Sequence, residues 1–241
     1  MIYIVIAIIG IVAGMISGIV GTGSSIILLP VLSFAFGPKA AIPIMAIASV
    51  MGNISRVIMW RKDVQIKAFL LYSIPAIPFA VLGANTLWVI PANLSNLCIG
   101  LFFLLLIPIR HWAKNRQLKL SRLQLIFSGV IVGYLTGIVF STGPLTVPIF
   151  AGYGLTKGAL LSTEAASSFV VYLAKAFTFG TIGAIPWSVL FNGLVIGFTM
   201  IVGLYIGKKF VLKMSDKIFN GLIDGMMLIA GFSMLWDAIW Y

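Results

Sequence analysis

The chain has 241 residues, of which 61% are hydrophobic and only 9% charged, with a formal net charge of +11 and a mean hydropathy of +1.15. No soluble core needs that much apolar sequence, whereas stretches of about 17 to 25 apolar residues cross a bilayer as helices, so the composition excludes a soluble domain and indicates an all-α, multi-span membrane protein. The basic excess would suggest nucleic acid in a soluble protein, but these residues sit in short loops between apolar segments and offer no exposed basic face, which excludes nucleic acid as a partner.

The first apolar stretch runs from 2 to 20. It has no basic n-region and no small-residue cleavage site, and more apolar segments follow, so it reads as a retained span and not as a removed signal. Gly10, Gly14 and Gly18 recur every four residues along it, the signature of close helix crossing. A small-polar break follows, Gly21, Thr22, Gly23, Ser24 and Ser25, and then apolar stretches at 26 to 36, 40 to 60, 68 to 89 and 93 to 109. The polar segment from Arg110 to Arg122 comes next, and beyond it apolar stretches at 123 to 140, 144 to 155, 158 to 180, 186 to 207 and 218 to 240. Cys98, the one cysteine, lies in an apolar run and has no partner for an internal disulfide.

The second series repeats the first. GIVAGMISGIVGTGSSIILLPVL, from Gly10, returns as GVIVGYLTGIVFSTGPLTVPIF, from Gly129, with Pro30 matched by Pro148. After a one-residue gap Lys39, Ala41, Ala48 and Ser49 align with Lys157, Ala159, Ala166 and Ser167. The organisation is therefore one membrane domain: an N-terminal repeat at 1–109, a cytoplasmic connector at 110–122 and a C-terminal repeat at 123–241.

Loop charge sets the topology. Basic residues crowd Arg61 to Lys67, Arg110 to Arg122 and Lys208 to Lys217, whereas the linkers at Asn85 to Asn96 and Gly180 to Trp187 carry none. By the cytoplasmic bias of Lys and Arg, the first three are inside and the last two outside. Four spans per half would reverse the loops flanking the seventh helix, so each half has five segments, an odd number, and the second enters the membrane inverted, with both termini outside. The middle segment of the first three, 26 to 36, is then about 16 Å long, half the hydrocarbon thickness of roughly 30 Å, and must be a half-helix, as must its twin at 144 to 155. Short Gly- or Pro-interrupted segments at matching places in inverted halves point to a transporter's binding site near the midplane, because irregular backbone at that depth is tolerated only where it lines a cavity or is buried in protein.

The two breaks are the first candidate site. A half-helix that starts at a break aims unpaired N–H groups and its positive dipole end into the gap, which favours an anion. Thr22, Ser24, Ser25, Ser141 and Thr142 add hydroxyl donors, and Gly21, Gly23 and Gly143 let a ligand approach the main chain. The next helix of each half carries a polar stripe: Ser49, Asn53 and Arg56 in the first, Glu164, Ser167, Ser168 and Lys175 in the second, each set on one face by helical spacing. Arg56 and Lys175 fall at nearly corresponding places, a turn or so from their helix ends. Two readings stand for each, contact with the anion or snorkelling to the interface. Glu164 has Ala46 as its twin and so breaks the repeat's symmetry, as a proton carrier or counter-charge would; the other reading puts it in a wet vestibule past Lys157. Asp224 is a second acidic candidate. Asn85, Thr86 and Asn192 are expected to bond between helices, and the six tryptophans to anchor helix ends at the interface.

The break GTGSSIILLP (Gly21 to Pro30), Ala48 and Ser49 on the next helix, Pro78, Gly83 and Ala84 further on, and the echoes Ser141 to Pro148 and Ala166 with Ser167 resemble the TauE/SafE family of sulfite and organosulfonate transporters, also called the 4-toluene sulfonate uptake permease family. The resemblance covers nearly the whole chain. It implies secondary transport of a small sulfur-containing anion across the bacterial inner membrane, with no cofactor, and leaves direction open. Phe140 departs from the pattern, standing where Gly21 predicts glycine.

The leading reading is an alternating-access carrier of such an anion, with proton coupling through Glu164 as an extension. The same donors could line a passive anion channel. A membrane enzyme lacks parts, since His111 is the one histidine and neither a cysteine pair nor clustered carboxylates accompany it, which also excludes a metal site. A structural partner subunit is the remaining alternative.

Overall fold

Glycine shapes the corners after the short helices, whereas several prolines lie within helices. In a computed structural model, which describes residues 2–20, 23–115, 119–139, 142–211 and 216–240, the chain forms ten α-helices and one 3-10 turn. The first half holds α1 (Ile2–Val20), α2 (Gly23–Phe36), α3 (Pro38–Met59), the 3-10 turn (Arg61–Asp63), α4 (Ile66–Val89) and α5 (Ala92–Asn115). The second holds α6 (Arg122–Ile138), α7 (Gly143–Gly152), α8 (Lys157–Thr181), α9 (Trp187–Val211) and α10 (Asp216–Trp240). Each short helix turns into a long one through a glycine with positive φ, Gly37 at 80° after α2 and Gly154 at 100° after α7, a backbone shape that a Cβ disfavours. Pro38 then occupies the first turn of α3, where its missing N–H leaves no bond unmade.

The two short helices lie where the two breaks predict them. At 1.5 Å per residue α7 is about 15 Å long and α2 about 21 Å, against about 38 Å for the 25 residues of α8. Ser121 starts α6 with a reciprocal capping box to Gln124. α5 continues through Asn115, so the start of the polar segment at Arg110 is helical, and His111 Nε2 meets Asp224 Oδ2 on α10 at 2.7 Å. Gly21, Thr22, Phe140 and Ser141 fall outside the described residues.

Helices pair mainly across the two halves: α1 with α9, α4 with α6, α5 with α10, and α3 with α8. The first two pairs depend on glycine. A Cβ on Gly129, Gly133 or Gly137 of α6 would run into the backbone of α4 at Tyr72, Ala76 and Ala80, and one on Gly14 would run into Met200 of α9. From the other side, a Cβ on Gly203 or Gly207 of α9 would strike Ile11 and Met15 of α1. The four-residue glycine series is thus a packing device that lets backbones touch, a contact available to small residues alone.

α3 lies at the centre, with Ala41 to Ala48 buried without interruption, as befits a stretch of helix apolar on all sides. Outer helices show large apolar side chains to the surroundings in stripes, Leu123, Phe127 and Ile131 on α6 and Ile229, Phe232 and Trp236 on α10. Three described helices are long and apolar enough to cross a membrane, Lys39–Met59, Ile66–Val89 and Trp187–Gly207. Trp88 packs its ring on Phe179, and Asn85 bonds the carbonyl of Val81 in its own helix instead of a neighbour. Thr86 does join two helices, accepting a bond from Tyr134 of α6.

Gly133→Ala is expected to destabilise the protein by about 1–3 kcal/mol through overpacking. At roughly 2–4 °C per kcal/mol this lowers the unfolding temperature in detergent measurably. Gly180→Ala, which adds its methyl to open space, should leave that temperature unchanged.

Candidate functional site

The polar stripes of α3 and α8 face each other. Asn53 donates from Nδ2 to the carbonyl of Ser49 one turn back, at 2.9 Å, which turns its Oδ1 toward Arg56 Nη1 at 3.0 Å. Arg56 reaches across to the other half, where Nη2 bonds Glu164 Oε2 at 2.6 Å and approaches the carbonyl of Leu161 at 3.4 Å. The second carboxylate oxygen, Oε1, accepts from Ser168 Oγ on the next turn of α8, at 2.7 Å, and lies 3.3 Å from Thr146 Oγ1 of the short helix α7, whose one proton is shared between it and the Gly143 carbonyl at 3.1 Å. Three elements, α3, α7 and α8, thus converge on one carboxylate.

This cluster is dry. The Arg56 and Glu164 side chains are 3% and 1% exposed, which rules out snorkelling for Arg56 and a solvated vestibule for Glu164. Removing two charges from water costs several kcal/mol per ion, an outlay offset here by a short charge-assisted bond and by neutral donors on the remaining lone pairs. Ser167, beside Ser168, is buried as well, and its hydroxyl has no hydrogen-bond partner among the described residues. A buried polar atom without a partner is uncommon and calls for a reason, such as a ligand.

Lys175 is buried too, and its ammonium does something the stripe does not foretell. It donates to the carbonyls of Thr136, at 2.8 Å, and Val139, at 3.2 Å, at the C-terminal end of α6, with the Phe179 ring 5.7 Å away. A cation there satisfies carbonyls that have no helical partner and opposes the negative end of the helix dipole. Lys175 therefore braces the second break and, like Arg56, does not snorkel.

The breaks share a further detail. Ser24, at the start of α2, donates to Ser17 of α1 at 3.3 Å, and Thr142, which caps α7, meets Thr136 of α6 at 2.5 Å. The Thr136 hydroxyl gives its one proton to the Val132 carbonyl at 2.6 Å, so Thr142 is the donor to Thr136. In both halves a hydroxyl on the long helix thus meets one at the mouth of the short helix. Gly23 and Gly143 open α2 and α7; Gly21, Thr22 and Ser141 lie outside the described residues, as does the side chain of Ser25. The structure brings together Ser49, Asn53, Arg56, Glu164 and Ser168, and sets Lys175 and Thr142 together at the second break. Sequence reasoning missed Ser17, Thr136 and Thr146, single hydroxyls inside apolar runs; the match of Ser17 to Thr136 across the repeat was the available signal.

Arg56→Met is expected to lower stability by about 3–5 kcal/mol, because it strands the Glu164 carboxylate in a dry site. The pair Arg56→Met with Glu164→Leu should cost less than Arg56→Met alone. Chemical unfolding in detergent checks this, and purely additive losses would contradict it.

No curated protein and no solved structure matched the chain. The family model described as Sulfite exporter TauE/SafE matches residues 6–234, nearly the full length. With a helical scaffold interrupted at two matching places and a charged cluster enclosed between its halves, the chain belongs to the TauE/SafE sulfite exporter family, a family of membrane transporters and not of enzymes.

Proposed function

We propose that the protein is a secondary transporter of sulfite or an organosulfonate in the bacterial inner membrane, working by alternating access. The observation that carries this reading is the buried cluster between α3 and α8, to which both halves contribute and in which the Arg56 cation is paired with the Glu164 carboxylate beside the hydroxyls of Ser168 and Thr146. Such a set suits a sulfur oxyanion, since a guanidinium grips two oxygens and hydroxyls take the rest. Ser49, Asn53, Arg56, Ser167 and Ser168 form the site. The starts of the short helices, at Gly23 and Ser24 of α2 and at Thr142 and Gly143 of α7, offer main-chain N–H groups, and Lys175 holds the end of α6 in shape and adds positive charge. Glu164 is the proton carrier.

The two halves are inverted repeats in this reading. Exchanging α1 with α6, α2 with α7, α3 with α8, α4 with α9 and α5 with α10 turns the α1–α9 pair into α6–α4, the α3–α9 pair into α8–α4 and the α2–α10 pair into α7–α5, each of which occurs, while α3–α8 and α5–α10 map onto themselves. An odd number of segments per half then supports opposite orientations, and loop charge supports termini outside with the connector in the cytoplasm. Transport follows when one part of each repeat rocks about the enclosed site.

Reconstituted alone into liposomes, the chain is expected to show counterflow: unlabelled sulfite trapped inside accelerates uptake of labelled sulfite, and the effect saturates. A channel would show no such acceleration. Ser167→Leu should abolish it, whereas Trp187→Leu, at an exposed helix end, should leave it within about twofold of wild type, as surface changes away from a site do.

A further inference from the structure

Among the described residues three charged side chains are buried, Arg56, Glu164 and Lys175. Lys175 is committed to the end of α6. The Glu164 carboxylate is therefore the anion that the site holds in this structure, and its surroundings are those an incoming oxyanion needs. One oxygen takes the Arg56 guanidinium, and the other meets two hydroxyls, from Ser168 and Thr146. A sulfonate or hydrogensulfite likewise presents oxygens that share a single negative charge, so it fits the donors that the carboxylate occupies.

Charge decides what happens when the two meet. With Glu164 ionised and no substrate the pair sums to zero; with Glu164 ionised and a monovalent anion added it sums to −1, and with Glu164 protonated and no anion to +1. Either imbalance is expensive in a site that excludes water. Neutrality survives substrate entry when Glu164 takes a proton as Arg56 takes the anion.

We infer that Arg56 is a counter-charge passed between Glu164 and a monovalent sulfur oxyanion, so that each anion bound brings one proton onto Glu164. This inference rests on the transport reading above and specifies its coupling. In the step, a proton released by the buffer in bulk solution joins Glu164 Oε2, leaving the buffer base behind, and the Arg56 Nη2 bond to that oxygen is replaced by one to the anion; no covalent bond to sulfur forms or breaks. Tyr72 of α4 is the titratable group that feels the Glu164 charge, with Tyr172 of α8 near Tyr72 in turn, and Asp63 of the 3-10 turn lies beside Gly158 in the first turn of α8. On α6, Tyr134 is turned to Thr86 of α4, and α7 contributes the neutral Thr146 to the carboxylate. Lys67, at the start of α4, is exposed.

Methanesulfonate is a suitable probe because its own charge is constant across the working pH range. Calorimetric titration of the whole purified chain at neutral to mildly alkaline pH, in two buffers with different heats of ionisation, counts the protons taken up. The expected result is about one proton per anion, with the apparent Kd rising about tenfold per pH unit. Sulfate, a dianion, should bind at least about tenfold more weakly, the equivalent of 1.4 kcal/mol. Glu164→Gln should bind methanesulfonate without proton uptake or pH dependence, Glu164→Asp should retain both, and His111→Gln should match wild type. Binding by wild type without proton uptake would overturn the inference on its own, whether or not a variant folds. So would uptake that persists in Glu164→Gln, uptake lost in His111→Gln, or sulfate binding as tight as methanesulfonate. If wild type binds neither methanesulfonate nor sulfite at any pH, the transport reading itself falls.

Discussion

The contact between Arg56 and Glu164 constrains this protein more than any other. It joins residues 108 apart in sequence, one from each half, at 2.6 Å in a region that excludes water. Neither charge could be there without the other, and neither helix could carry its charge without the neutral groups around it. Asn53 orients the guanidinium, and Ser168 and Thr146 complete the carboxylate. The placement of α3, α7 and α8 is therefore tied to electrostatics as much as to packing. A buried ion pair adds little net stability, so its presence calls for a reason other than stability. Movement of a charged substrate through an apolar interior is such a reason.

Around that cluster the rest of the fold is built for close approach. Glycines bring α6 against α4 and α9 against α1, which compacts the outer helices on both sides of the central pair. The short helices α2 and α7 end in glycine corners with positive φ, so their far ends turn directly into α3 and α8, the helices that carry the polar stripes. One device, a glycine at a chosen place, thus serves both contact between helices and reversal of the chain.

Much of this could be read from the chain. Apolar stretches marked all ten helices, most of them to within a few residues, because a membrane-length run of apolar residues has few other uses. The duplicated breaks located α2 and α7 correctly, and the four-residue glycine spacing was rightly taken as packing. What the sequence could not convey was depth and partner. Arg56 and Lys175 stand equally near helix ends, where snorkelling is the ordinary fate of a long basic side chain, and only tertiary packing shows that both are enclosed. Pairing of Arg56 with Glu164 was hidden because Glu164 has no charged twin in the first half. The bracing of α6 by Lys175 was hidden because helix-end carbonyls leave no mark on composition. Thr146 passed unnoticed for a similar reason, since a lone threonine in an apolar run resembles a filler.

The cross-half pairing of α1 with α9 and of α4 with α6 has a consequence for how the molecule is made. During synthesis α1 emerges long before α9, whose surface its glycines are shaped to meet. Its narrow face must be tolerated by lipid, or sheltered by insertion machinery, throughout that interval. The two segments are interlaced like clasped fingers, so a truncated product stopping at the connector would hold α1 and α4 without their mates, and assembly becomes an all-or-nothing event that waits for α9.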